Sequence, residues 1–269
     1  MPERITSRKN DLIQRYLALA CSARKRREEH CFTAEGARLC ADAAASGVAV
    51  QALFFTEEAD EKYAGYLQTI RRSCRSESFI PASLAACISG TKHPQGIFCI
   101  CSMPEKTDGF PALTDGSRLV LLENMQDPAN LGAVLRTAEA LGIQAVLLGG
   151  GCCDPYSPKV LRASMGAVFR LPLFFCPNVP DTVVHLNALG CRTFAAVPDA
   201  DAVPVTSIRF SGPSAAVIGN EGNGLTAETE HACSQRATVP MRGRAESLNA
   251  AASAAILMWE MVRGSDGFK

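Results

Sequence analysis

Three polar segments in the C-terminal half carry the residue types from which a site could be built. They are Asn130-Leu131-Gly132-Ala133-Val134-Leu135-Arg136, Gly219-Asn220-Glu221-Gly222-Asn223-Gly224 and Ser247-Leu248-Asn249. Amides, a hydroxyl, a carboxylate and a guanidinium can hold and orient a ligand. Arg136 cannot act as a base, because its pKa exceeds about 12. It can clamp a phosphate or stabilise an oxyanion. The glycines of the second segment let backbone approach a ligand closely. Each segment also has a plainer reading. Arg136 could sit on the surface of an amphipathic helix whose apolar face is Val134, Leu135, Ala138 and Leu141, Glu221 could cap the next helix, and Ser247 with Asn249 could cap a core helix.

The elements around these segments read as α/β. An apolar strand, Arg118–Leu122, runs into the first segment, and a helix follows to about residue 141. Residues at a strand's carboxyl end and in the next helix's first turns face the crevice where open α/β sheets bind ligands. Strands are expected over 144–148, 171–175, 192–196 and 215–218, with helices over 157–167 and 180–189. The third segment sits in VPMRGRAESLNAAASAAILMW, residues 239–259. It reads as a short strand, a turn on Pro240 and Gly243, a charged loop, and a closely packing Ala-rich helix. The triplet Gly149-Gly150-Gly151 is not G-x-G-x-x-G, so a dinucleotide fingerprint and a nicotinamide-dependent dehydrogenase have little support.

The first hundred residues form a separate small α/β pattern. A helix over 10–22 is followed by the basic run Arg24, Lys25, Arg26, Arg27, then Glu28 and Glu29. Such a run is a solvated face or a contact for a phosphate backbone. A second helix is expected over 33–46, then strand 50–56, helix 58–72, strand 76–80, helix 82–88 and strand 96–101. His93 has no partner carboxylate or cysteine beside it and reads as structural. The Pro- and Gly-containing stretch 102–116 reads as a linker, so the domains are placed at 1–103 and 117–269 with a linker over 104–116.

Composition narrows the classes. The 269 residues hold 47% hydrophobic and 20% charged residues, ordinary for a chain with good cores. Twenty-seven basic residues balance twenty-seven acidic ones, so polyanion binding must come from a local patch. None of the twelve cysteines is in C-x-x-C spacing, and no metal site is expected. The polar N-terminus and the lack of an uncharged run of ~18–20 apolar residues point to a cytoplasmic protein with reduced thiols and no membrane segment.

In order and spacing, the three segments resemble the signature motifs of the SpoU/TrmH family, RNA 2'-O-ribose methyltransferases of the SPOUT superfamily. The match is carried by Asn130–Ala138, Ile218–Leu225, and Val239–Gly243 with Ser247-Leu248-Asn249. The N-terminal part resembles the substrate-binding domain of such enzymes through Arg26-Arg27-Glu28-Glu29, Phe32, Glu35-Gly36, and Thr91 with Pro94-Gln95-Gly96. The resemblance implies a C-terminal SPOUT domain with a parallel sheet and deep trefoil knot, an S-adenosylmethionine pocket in that knot, and a homodimer with active sites at its interface. It implies cofactor contacts from Gly219, Val239 and Leu248, and a catalytic, RNA-facing set of Asn130, Arg136, Glu221, Ser247 and Asn249. Arg24 to Arg27 are the expected RNA contacts. The sequence departs from the family at Asn220, where a small residue is common, and at Ala250-Ala251-Ala252; both should adjust the pocket rather than abolish activity. The function implied is ribose methylation of ribosomal RNA. Methylation of transfer RNA, or a non-catalytic RNA-binding or ribosome-assembly role on the same fold, are the alternatives.

Overall fold

The computed structural model describes residues 2–104 and 110–263. They divide into two compact units: the described residues of Met1–Glu105 together with Asp154–Phe169, and those of Lys106–Cys153 together with Arg170–Lys269. Within the expected linker 104–116, residues 105–109 lie outside the described residues.

The first unit runs β1 (Glu3–Arg4), α1 (Asp11–Cys21), α2 (Ala23–Glu29), β2 (Cys31–Glu35), α3 (Ala37–Ala45), β3 (Val50–Phe55), α4 (Glu57–Lys62), α5 (Ala64–Arg71), β4 (Glu77–Phe79), α6 (Ala82–Ile88) and β5 (Ile97–Ser102). Its sheet has the order β1-β4-β3-β5-β2, with β5 antiparallel to β3 and β2 and the other pairs parallel. Tyr16 of α1 packs edge-on against Phe54 and Phe98, with ring centroids 6.2 and 5.7 Å away. Two expectations fail here. Residues 33–35 extend a strand instead of opening a helix, because β2 pairs along its length with β5, and the turn at Gly36 (φ 101°) separates it from α3. The expected helix over 58–72 is broken at Tyr63, whose backbone leaves helical geometry.

The second unit contains β6 (Arg118–Leu122), α7 (Pro128–Ala140) and β7 (Ala145–Gly149). The chain leaves it through α8 (Pro158–Ser164) and returns with β8 (Leu173–Cys176), α9 (Val179–Ala188), β9 (Arg192–Ala196), β10 (Val203–Pro204), β11 (Ser214–Ile218), α10 (Ala227–Ala232), β12 (Gln235–Thr238) and α11 (Ala250–Val262). All seven strands are parallel in the order β10-β12-β9-β11-β6-β7-β8. β6, β7 and β11 are buried throughout, as expected of a parallel sheet covered on both faces. β6 runs out to β7 and β8 on one side, and the chain returns to β9 on the far side of β11. That reversal places the loops after β6 and β11 side by side. Arg118, 8% exposed, pairs with no carboxylate among the described residues; it donates to the carbonyls of Ser117, Phe210, Gly212 and, on α11, Met261. Burial lowers its pKa, while those four carbonyls tie the end of α11 to the first strand of the unit. Among the described residues no helix is long and apolar enough to cross a membrane.

Asp154–Phe169 completes the first unit's interior. Arg26 is 4% exposed; its Nε donates to Asp154 Oδ2 at 2.7 Å and its Nη1 to the Leu19 carbonyl at 2.6 Å. The Phe32 ring lies between Tyr156 and Phe169, with centroids 5.3 and 5.6 Å away. Burial, and then the charge of Asp154, push the Tyr156 hydroxyl up to about 12. Asp154→Ala strands a buried guanidinium and should cost about 3–5 kcal/mol in urea unfolding. Arg24→Ala, which removes an exposed pair with Glu28, should cost less than about 1 kcal/mol. Equal losses would show that the Arg26 pair is not what holds this segment.

Candidate active site

A cavity of about 510 Å³ opens at the carboxyl ends of β9, β11 and β12. Its walls are residues 196–199, 218–225 and 236–239, closed by Met241, residues 246–248 and the first turns of α11. The volume suits a nucleoside-sized ligand. Four of its lining side chains are acidic (Asp199, Glu221, Glu230, Glu246) and Arg236 alone is basic. Arg236 is itself held by carboxylates: it pairs with Asp199, and its Nε lies 2.7 Å from Glu230 Oε1. The Asp201 amide first, and then Arg236, hold the Asp199 carboxyl below its usual range. The lining side chains therefore carry an excess of carboxylates, which suits a ligand with a cationic group.

The glycine loop is shaped by close approach. A Cβ on Gly219 would fall 2.2 Å from the Gly224 carbonyl carbon and 2.3 Å from the Leu225 nitrogen, so no other residue fits. Asn220 staples the loop: its Oδ1 accepts from the Gly222 and Asn223 amides at 2.9 and 3.0 Å, and its Nδ2 donates to the Asn124 carbonyl at 2.9 Å. The departure at position 220 thus closes the loop upon itself and upon the loop after β6.

One hydrogen-bonded chain joins all three segments. Asn249 Nδ2 donates to Asn130 Oδ1 at 2.9 Å, and Asn130 Nδ2 donates to Glu221 Oε1 at 3.1 Å. Glu221 also accepts from the amides of Gln126 and Asp127 at 3.3 and 3.1 Å. Burial pushes its carboxyl upward, but these donors outweigh that and its pKa is lowered. Asn249 Oδ1 meanwhile caps α11, accepting from Ala251 and Ala252 at 2.9 and 3.3 Å. The capping expectation and the pairing of the motifs meet in this one side chain.

Gly219, Val239, Ser247 and Leu248 all line the cavity. Val239 does so from a loop: the strand expected to begin there ends at Thr238, where its pairing with β10 stops. Arg136 is exposed on α7 and is not a cavity-lining residue. Six positions beyond Asn130, at 100° per residue, it points about 120° away from it. The basic run is also divided. Arg24 and Lys25 pair with Glu28 on the surface, Arg27 is exposed, and Arg26 is turned inward and is not available to a phosphate. Sequence reasoning missed Glu123, 6% exposed at the end of β6. Its carboxylate accepts from the Thr226 amide at 2.8 Å and from the hydroxyls of Thr226 and Thr229 at 3.0 and 2.5 Å. It anchors the far end of the glycine loop, and an acid directly after an apolar strand was its one available signal.

The family described as the SpoU rRNA Methylase family matches residues 117–259, and the MRM3-like substrate binding domain matches residues 10–99. The chain is 32% identical to the 23S rRNA (guanosine(2553)-2'-O)-methyltransferase RlmP of Bacillus subtilis, over 96% of this chain and 99% of that protein. It is 30% identical to the 23S rRNA (uridine(2479)-2'-O)-methyltransferase of Streptomyces viridochromogenes, over 97% and 92%. The solved structure of the AdoMet-bound rRNA methyltransferase from Sinorhizobium meliloti superposes with a TM-score of 0.86 at 28% identity, covering 97% of both chains.

The lowered pKa of Glu221 fixes the sign of a pH effect. Its contribution to stability is complete above the ordinary glutamate pKa of about 4.3 and is lost as pH falls through the lower folded value. Glu221→Gln should therefore melt below the wild type at neutral pH, with the gap closing only below about pH 4.3. A gap that is constant with pH would remove the charged carboxylate from this role.

Proposed function

The chain belongs to the SpoU rRNA methylase family, and on that premise we propose that it transfers a methyl group from S-adenosylmethionine to a ribose 2'-hydroxyl of ribosomal RNA. The observation that carries the reading is the Asn249–Asn130–Glu221 chain, which binds the three polar segments to the rim of an acid-lined cavity. The cavity's size and its excess of carboxylates fit a sulfonium cofactor, and Gly219, Val239 and Leu248 would hold it, largely through backbone. Bound there, S-adenosylmethionine supplies an electrophilic methyl group; the protein supplies alignment and exclusion of water.

Asn130, Ser247 and Asn249 offer donors and acceptors for the ribose, and Glu221 keeps Asn130 in register. Arg136 carries the charge that offsets the developing alkoxide, or clamps a substrate phosphate that takes the proton. Since its own α7 carries it away from Asn130, we assign Arg136 to the active site of a second subunit in a homodimer. The proposal includes a trefoil knot formed by the segment after β12. It is supported by the hold that Asn130 has on Asn249 at one end of α11 and Arg118 on Met261 at the other. It further includes domain limits at 1–103 and 117–269, a cytosolic setting, and RNA contact through Arg24, Lys25 and Arg27.

Incubation with labelled S-adenosylmethionine and unmodified ribosomal RNA should give ribose-methylated product; no ribose methylation in any RNA class would overturn the reading. Arg136→Ala should lower turnover by on the order of 100-fold with cofactor affinity kept. Mixing inactive Arg136→Ala subunits with inactive Asn249→Ala subunits should restore activity, because one of the two sites in each mixed dimer is then intact. Failure to restore it would place Arg136 in its own subunit's site.

A further inference from the structure

In the first unit the sequence's basic run is reduced by one: Arg26 is buried on Asp154, while Arg24 and Lys25 share Glu28 on the surface. A second basic surface in the same unit sets three cations around one carboxylate, Glu35. It is formed by the loop over residues 89–96 (SGTKHPQG) and by α8. The loop is anchored by one carboxylate: Glu35 accepts from the Gly90 amide at 2.9 Å, from Thr91 Oγ1 at 3.0 Å and from the Ser89 hydroxyl. At the loop's other end, Gln95 Oε1 accepts from the Ala37 amide at 2.8 Å and fastens it to the start of α3.

The anchored loop lies against Arg162 of α8. A Cβ on Gly90 would stand 3.3 Å from Arg162 Nη1 and 3.9 Å from Nη2, so the bare glycine makes room for the guanidinium. Lys159 precedes Arg162 by three positions and therefore shares its side of the helix. Lys92 follows Gly90 by two residues, within about 7 Å of chain. Lys92, His93 and Lys159 are exposed and Arg162 is half-buried. Among the described residues, Lys92, Lys159 and Arg162 have no ion-pair partner. Glu35, the nearby acid, accepts from three neutral loop donors and keeps its charge, so it offsets one of these cations and leaves the others in excess.

We propose that the 89–96 loop and α8 together form a face that grips the sugar-phosphate backbone of the RNA, with Lys92, Lys159 and Arg162 as its phosphate contacts. This rests on the RNA substrate proposed above. Phosphate contacts require clustered cations on a fixed scaffold, and this surface adds three to those that Arg24, Lys25 and Arg27 present on α2. α8 falls within residues 117–259, the stretch matched by the methylase family, while its fold belongs to the first unit. The RNA face of the substrate unit is thereby completed by a segment of the methylase sequence.

Lys92→Glu and Lys159→Glu alter exposed side chains and should leave the melting temperature unchanged. Binding of an unmodified ribosomal RNA transcript, followed by fluorescence anisotropy over a series of salt concentrations, should weaken at least tenfold in the double variant. The slope of log K against log salt should become shallower by about 1 to 2, since each neutralised phosphate contributes about 0.7–0.9 to that slope. Arg162→Gln, which removes the third cation and leaves the loop's Glu35 anchor in place, should also weaken binding, while S-adenosylmethionine affinity by calorimetry stays level in each variant. Wild-type affinity and slope in the double variant, with the wild type binding RNA normally, would overturn this face and leave the proposed reaction standing. No RNA binding by the wild type would overturn both. Normal binding to naked RNA with methylation abolished only on protein-containing ribosomal particles would assign the face to a protein and overturn the RNA contact.

Discussion

Asn130 is the point on which the C-terminal unit depends. A carboxamide has one accepting and one donating end, and each holds a partner here: the oxygen Asn249, and the nitrogen, through one of its two hydrogens, Glu221. Glu221 is charged and can only accept, so the amide cannot turn round without setting its oxygen against a carboxylate. One side chain thus ties the helix after β6, the loop after β11 and the start of the last helix. Each bond contributes only about 1 kcal/mol. Their value lies in register, since the same two bonds join the segments that bring Gly219, Val239 and Leu248 to one cavity.

Much of that arrangement was readable from residue types. Asn249 had the form of a cap, and it caps. The glycine segment read as a place of close backbone approach, although the cause, a carbonyl carbon 2.2 Å from any Cβ on Gly219, lies five residues along the chain and cannot be read locally. Where the sequence misled, a long-range partner decided the outcome. Residues 33–35 looked helical until β5 claimed them as a strand. In the basic run, Arg24 and Arg27 lie about 60° apart around α2 and Arg26 about 160° from Arg24. A run of like charges does not say which of its members points inward. Only Asp154, 128 positions away, makes the inward one legible.

The same limit applies to domain boundaries. A boundary drawn from composition follows the chain, whereas a core follows contacts. Asp154–Phe169 is continuous in sequence with the parallel sheet, yet it supplies the charge that neutralises Arg26 and two of the rings around Phe32. Without that segment, the first unit would bury a guanidinium without a counter-charge, which is among the costliest defects a core can carry. The unit matched by a substrate-binding domain over residues 10–99 is therefore not a module that the first hundred residues complete alone.

An Arg136 outside the cavity suits the distribution of charge in the proposed reaction. Two unit charges of like sign about 4 Å apart repel by roughly 4 kcal/mol at an effective dielectric constant of 20. A free arginine among the cavity walls would oppose a bound sulfonium by that order and cancel what Asp199, Glu221, Glu230 and Glu246 provide. The one arginine that is there, Arg236, is offset by two of those carboxylates. A guanidinium meant for negative charge that develops on the nucleic acid is better placed on the other side of the reacting atoms, approaching with the substrate rather than with the cofactor. In the proposed dimer a second copy of α7 delivers it there, so that neither subunit holds both the acid-lined cavity and the cation that completes it.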